Sequence, residues 1–185
     1  DLDTSRGLGD VYKRQDYSKQ NRWVDSIYNN LDLEEKIGQL ITVWVATKYG
    51  EDEIKHISKL IEDYKLGGLI FSLGDIKSQA KAINKFQKQS KVPLLISMDA
   101  EWGIGMRLDD AFSFPYNMTL GAIENDSLIY QVGKRIGFHA KRLGVQINFA
   151  PVVDINTNPA NPIIGFRSFG AVSYTHLRAH ETYRD

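Results

Sequence analysis

Two carboxylates and one guanidinium carry most of the chemistry that this sequence could do. Asp99 and Glu101 follow the apolar run PLLISM, and Arg167 closes a polar loop that begins near Asp154. If the strand through Met98 continues, a spacing of two puts Asp99 and Glu101 on one face, with α-carbons about 6.5–7 Å apart. Glycosidic-bond cleavage uses two carboxylates roughly 5–5.5 Å apart, or further, so the pair is a candidate acid and base dyad. A strand-end carboxylate equally serves as an acceptor for loop amides, and for Glu101 that reading stays open. Trp102 beside them offers a flat apolar face, either for a pyranose ring or for a core or lid contact.

Arg167 lies in NFAPVVDINTNPANPIIGFRSFG, residues 148–170. Val145, Ile147, Phe149, Val152 and Val153 make an apolar, β-branched run of strand length, and Pro151, Pro159 and Pro162 force it to end in an ordered loop. Side chains on such a loop are held still. An arginine fork there suits a carboxylate, a phosphate or sugar hydroxyls. The alternative is that Asp154 and Arg167 pair with each other to hold the loop.

The elements that must position these groups alternate. Trp23, Ile27 and Leu31 share one helical face over residues 21–30, and Asp32 with Glu35 forms a capping box for a second short helix. Residues 40–46 read as a strand, 51–65 as a helix with the stripe Ile54, Ile57, Leu60, Ile61 and Tyr64, and 69–72 as a second strand. A helix over 75–90, a strand over 93–98, a long helix over 127–143 and a strand over 145–150 complete the pattern. Strands separated by helices demand parallel pairing, with both faces of the sheet covered. A dinucleotide fold would want G-x-G-x-x-G after its first strand. The nearest match, at Gly103 and Gly105, lacks the third glycine and leads into an acidic, aromatic loop. The fold class is therefore α/β, about four βα units of a TIM (β/α)₈ barrel. In a barrel the polar groups at strand carboxyl ends form the site, here Ser72, Asp99, Glu101, Asn148, Asp154 and Arg167.

Other residues carry less. His139, with Ile136 and Leu143 near its stripe, reads as packed or capping, not catalytic. Asn117 opens Asn-Met-Thr, a glycosylation pattern that short sequences match by chance. His176 and His180 stand four apart with Glu181 beside them, but a third firm ligand is missing, and a solvated tail is expected over a metal site.

Lys plus Arg and Asp plus Glu are both 23, so net charge is zero, and no basic stripe suits a nucleic acid. No run of 18 or more apolar residues spans a membrane. The first residues lack signal-peptide order, which leaves room for a leader upstream and assigns no compartment. With 42% hydrophobic residues the chain can bury a core, and with no cysteine it has no disulfides. Residues 1–15 and 172–185 show neither periodicity and look like translated adapter sequence, which leaves 16–171 as the native part.

Read together, LDLEEKIGQL, LGGLIFSLGD, LLISMDAEWGIGMRL, FSFPYNMTLGAI and NFAPVVDINTNPANPIIGFRSFG resemble the amino-terminal barrel domain of glycoside hydrolase family 3. DAEWG and GFRSFG resemble the β-N-acetylhexosaminidase branch more than the β-glucosidase branch. The resemblance covers nearly all of 16–171. It implies a retaining hydrolase of terminal β-linked N-acetylglucosamine, working through a covalent glycosyl-enzyme with a carbohydrate as partner and no metal or organic cofactor. Asp99 matches the aspartate that holds hydroxyls of the sugar in the minus-one subsite, and Arg167 matches the arginine on the same sugar. Asp154 matches an aspartate of the fourth strand end, read as loop support, and Glu101 becomes structural. The family's Lys-His-Phe segment, acid/base histidine and nucleophilic aspartate have no counterpart in these 185 residues, so the resemblance assigns no catalytic residue here. Since such barrels take about 250 residues, roughly the first half is expected.

Overall fold

The computed structural model describes residues 18–172; the readings made for 1–15 and for the tail with His176, His180 and Glu181 lie outside them. Two short helices, α1 (Ser18–Tyr28) and α2 (Leu33–Gly38), lead in. The capping box before α2 is present in full. Asp32 Oδ1 accepts the Glu35 amide at 2.8 Å, and the Asp32 amide donates to Glu35 Oε2 at 3.2 Å. Lys91 Nζ also donates to Glu35 Oε2, at 2.7 Å, which holds the Glu35 carboxyl below its ordinary value and ties α2 to the segment before the third strand. The apolar stripe of α1 packs less than its spacing predicts. Trp23 is exposed and no α1 residue is buried, whereas Leu31 just after the helix is.

The repeating part runs β1 (Thr42–Val45), α3 (Glu51–Tyr64), β2 (Gly68–Phe71), α4 (Ile76–Gln89), β3 (Leu95–Met98), α5 (Asn117–Gly121), α6 (Asp126–Leu143) and β4 (Ile147–Asn148). Helices α4 and α6 are bounded by signals in their sequence, whereas α5 has none that announced it. Asp75 accepts the Ser78 amide at 2.9 Å to open α4, and Gly144, at φ 84°, closes α6. The sheet order is β1-β2-β3-β4, all parallel. A doubly wound sheet reverses its strand order at a switch point, whereas here every new strand adds on the same side. That is the wall of a TIM barrel, about four βα units of it.

The register separates the two faces of the wall. Val45, Leu69, Phe71, Ile96 and Met98 bury against Ile57 and Ile61 of α3, Ile83 and Phe86 of α4, and Leu143 of α6. Trp44 pairs in register with Ile70, Ile70 with Ser97, and Ser97 with Ile147, on the opposite, inward face. There Trp44 is 45% and Leu95 48% exposed. The expectation of two covered faces thus holds on the helix side alone. Both outer edges, of β1 and β4, lack a neighbouring strand among the described residues.

Two expectations about strand length need correction. Residues 145–150 form a strand only over Ile147–Asn148, because the ladder with β3 reaches just Ser97 and Met98. The apolar run that suggested a longer strand continues as exposed loop, with Phe149 and Val153 in solvent. The third strand stops at Met98, so its alternation does not carry Glu101 onto the face of Asp99. A close approach fixes the turn into β2. A Cβ on Gly67 would sit 1.9 Å from the Gln39 carbonyl oxygen, and Gln39 Nε2 donates to the Lys65 carbonyl at 2.6 Å.

An uncovered apolar sheet face with two open parallel edges is a surface for association. The 185-residue chain is expected to self-associate, with a sedimentation mass that rises with concentration. Trp44→Lys should lower that association; a strict monomer with a sharp cooperative melt at 100 times the lowest concentration tested would count against it.

Candidate active site

The turn that follows β3 spends its two carboxylates on two different arginines. Asp99 accepts from Arg107: the Nε donates to the Asp99 carbonyl at 2.7 Å and Nη2 contacts its Oδ2 in a short ion pair. Asp99 is partly open to solvent. Glu101 is 1% exposed, and Arg167 reaches it from the loop after β4. Arg167 Nε donates to Oε1 at 2.9 Å and Oε2 at 3.1 Å, and Nη2 to Oε1 at 2.7 Å. A carboxylate buried this far needs such a partner to offset its lost solvation. Glu101 in turn pushes the Arg167 guanidinium above its ordinary value, with the Asp99 and Asp154 charges acting in the same sense. The Asp99 and Glu101 dyad suggested by spacing does not form as a facing pair.

Arg167 is held from its main chain too. It ends the short 3-10 turn Gly165–Arg167, and its carbonyl accepts from Asn117 Nδ2 at 2.8 Å. Asn117 is fully buried, which removes it as a glycosylation acceptor and makes it the clamp of this turn. Helix α5 packs so closely that a Cβ on Gly121 would lie 1.8 Å from the Phe169 carbonyl oxygen. Ser168 Oγ, also buried, donates to the Asp154 carbonyl at 2.7 Å and lies 2.8 Å from the Gly170 carbonyl, closing the loop that begins at Asp154. The guanidinium keeps further capacity. One hydrogen on Nη1 goes to the Ile163 carbonyl at 3.3 Å, which leaves one N–H on each terminal nitrogen beyond these bonds, on a side chain 39% exposed.

The other expected site residues fall elsewhere. Asn148 faces Ala100, accepting its amide at 3.0 Å and donating to its carbonyl at 3.1 Å, so it is a clamp between strand ends. Ser72 is buried at the end of β2, its amide bonded to the Val45 carbonyl at 2.9 Å. His139 lies half-buried among rings, 6.0 Å from Phe114 and 6.1 Å from Phe138, in keeping with a packed histidine. Arg107, Asn117 and Ser168 were not foreseen. Arg107 stands eight residues after Asp99 in a loop of unassigned shape, and Asn117 and Ser168 act through main-chain groups that no side-chain pattern announces. Among the described residues no cluster of three His, Cys, Asp or Glu could hold a metal, and no helix is long and apolar enough to cross a membrane.

The two members of the buried pair should respond differently to truncation. Arg167→Ala leaves the Glu101 carboxyl buried without its partner and is expected to cost about 2–4 kcal/mol of unfolding free energy. Glu101→Ala leaves a guanidinium that can turn to solvent, and about 1–2 kcal/mol is expected. Urea unfolding of both variants reads the difference; equal losses would contradict the assignment of Glu101 as the buried partner.

The comparisons with known proteins agree with this architecture. The model of the "Glycosyl hydrolase family 3 N terminal domain" matches residues 32–183. A β-N-acetylglucosaminidase/β-glucosidase of Cellulomonas fimi is 31% identical over 153 residues, 83% of this chain and 26% of its own length. Among solved structures, a family 3 β-N-acetylglucosaminidase from Paenibacillus sp. str. FPU-7 is 35% identical with a TM-score of 0.72, over 83% of this chain and 30% of that one. A β-glucoside phosphorylase bound to 2FGlc has a TM-score of 0.82 at 26% identity, covering 90% of this chain and 30% of its own. The chain spans about a quarter to a third of these relatives. It belongs to glycosyl hydrolase family 3, within that family's amino-terminal domain.

Proposed function

We propose that this chain supplies the sugar-anchoring half of a retaining glycosidase that removes terminal β-linked N-acetylglucosamine. The observation that carries the reading is the pair of ion pairs at the carboxyl ends of β3 and β4, Asp99 with Arg107 and Arg167 with Glu101. Both anchors are preorganised and neither is sealed. Arg107 fixes the rotamer of Asp99, and the exposed part of that carboxylate accepts from sugar hydroxyls. The free N–H groups of Arg167 donate to hydroxyls of the same ring. Held by Glu101, Asn117 and the Ile163 carbonyl, Arg167 loses little further freedom when substrate arrives, which is how positioning lowers a barrier. Asp154 shapes the loop and contributes negative potential near Arg167. By sequence pattern residues 16–171 would then be the native domain portion, whereas the family model's match runs on to residue 183.

Neither a nucleophile nor an acid/base is assigned to these residues, so the chain as given binds sugar without turnover, and the whole protein completes the site. The Paenibacillus relative, the most identical of the three named, supports β-N-acetylglucosaminide, while the Cellulomonas fimi protein, named for both, and the β-glucoside phosphorylase keep β-glucoside as the second reading. A sugar-binding protein without a nucleophile is the reading from another class.

Side-by-side assays on the whole protein test this. Chromogenic β-N-acetylglucosaminide is expected to be turned over faster than the β-glucoside, with the β-anomer as the first product by NMR. Asp99→Ala should lower kcat/KM by about 10²-fold or more, the size of a lost charged substrate contact. Inversion at the anomeric carbon, or turnover by the 185-residue chain that Asp99→Ala abolishes, would overturn the reading.

A further inference from the structure

The outer helices of the wall carry charge that the sugar site does not use. Helix α4 contains no Asp or Glu, and its Lys77, Lys81, Lys85 and Lys88 recur on one helical face, opposite the buried Ala82, Ile83 and Phe86. Helix α6 repeats the arrangement with Lys134, Arg135, Lys141 and Arg142, opposite the buried Ile136, Ala140 and Leu143. Its one acid, Asp126, stands in its first turn. The two helices are neighbours: a Cβ on Gly144, at the end of α6, would meet Ile83 Cγ2 of α4 at 3.5 Å. No basic run shows in the linear sequence, because these cations are spread along two separate helices that only the fold sets side by side.

The chain is neutral, so this is segregation of charge and not excess. All of these side chains are exposed, and none lies in an ion pair among the described residues. The lysines of α3 differ: Lys55 pairs with Asp52 at 3.4 Å and Lys59 with Asp63 at 2.7 Å, within their own helix. Acids near the basic face are spent or distant. Asp75 accepts the Ser78 amide and Asp110 the Ile76 amide, each at 2.9 Å, and Glu51 of α3 faces Lys81 and Lys85 across a cleft without pairing with them. Apolar surface lies among the cations. A cavity of about 400 Å³ is lined by Ile76 and Ala80 of α4, Phe138 and Leu143 of α6, and Phe112 of the loop after β3. Phe112 is 64% and Phe138 48% exposed. Arg135 and Arg142 flank the Phe138 ring, with their Cζ atoms 5.9 and 5.7 Å from its centroid.

The two features together select the partner. A soluble polyanion satisfies the cations and leaves the rings in water. An anionic lipid surface satisfies both, with phosphate headgroups on the lysines and arginines and acyl chains against Phe112, Phe138 and the groove between the helices. We infer that the outer face of α4 and α6 is a docking surface for an anionic phospholipid bilayer. The contact is peripheral and needs no spanning segment. Asp99 and Arg167, at the carboxyl ends of the strands, take no part in it, so the inference stands apart from the sugar-anchoring reading.

The test is co-sedimentation of the whole protein with vesicles of phosphatidylcholine alone and of phosphatidylcholine mixed with phosphatidylglycerol, at low and high salt. Binding is expected on the mixed vesicles only, and weaker at high salt. Each neutralised lysine is expected to lower the partition coefficient about fivefold, so Lys81→Gln with Lys85→Gln should cost roughly 25-fold at an unchanged melting temperature. Phe138→Ala should lower binding further, with a loss that persists at high salt. Lys55→Gln with Lys59→Gln, on α3, should bind the mixed vesicles as wild type does. No binding to the mixed vesicles at low salt would overturn the inference, as would binding that the α4 substitutions leave unchanged. Retention on inorganic polyphosphate equal to that on vesicles, with no effect of Phe138→Ala, would overturn it too and make the face a site for soluble polyanions.

Discussion

The contact between Glu101 and Arg167 joins two loops that lie 66 residues apart in the chain and would otherwise be independent. A carboxylate removed this completely from water loses several kcal/mol of solvation, which only a well-aligned partner offsets. Three donor contacts from one guanidinium do so. Once Glu101 is committed inside, the position of Arg167 follows, and with it the turn that Asn117 grips and the loop that Ser168 closes. The buried pair is poor evidence for stability as such. Its consequence is geometric: the ends of β3 and β4 present their polar groups in one arrangement.

Separate arginines also give the two acidic residues separate roles. Had β3 continued two residues further, Asp99 and Glu101 would share a face and their charges would repel. The strand instead ends at Met98, and the chain turns through Gly103 at φ 88°. Glu101 is directed into the protein and Asp99 remains partly in solvent. Each carboxylate thus has its own cation despite their short separation in sequence. The open one is free to accept hydrogen bonds from a ligand, and the closed one serves the arginine.

Much of this was legible in the residues. The stripe of α3 and the capping box before α2 are local signals, and the parallel wall follows from their alternation with apolar runs. DAEWG and GFRSFG are each visible as candidate site segments. What pairs with what is a different kind of information. Glu101 has its partner 66 residues away, and nothing in its neighbourhood distinguishes a buried carboxylate from an exposed one. Asn148 stands at a strand end, where polar groups usually form the site, yet its amide is consumed by Ala100. The pattern Asn-Met-Thr at Asn117 suggests only a chance glycosylation match, although burial makes this residue a clamp. The fourth strand looked longer than it is because β-branched residues read alike in solvent and in a core.

That short strand still has to hold the site, and side chains do what its backbone does not. On one side of β4, Gln146 Oε1 accepts the Ile96 amide at 2.8 Å while the Gln146 amide donates to the Ile96 carbonyl at 2.9 Å. On the other, Asn148 binds both main-chain groups of Ala100, and the Phe149 amide donates to the Met98 carbonyl at 2.9 Å. Two side-chain amides thus extend a two-residue ladder at both ends: the Gln146 side-chain oxygen takes up the Ile96 amide, and Asn148 satisfies both main-chain groups of Ala100. The extension at Asn148 matters most. It pins Ala100, the residue between Asp99 and Glu101, so the strand that leads to Arg167 also fixes the backbone from which both carboxylates project.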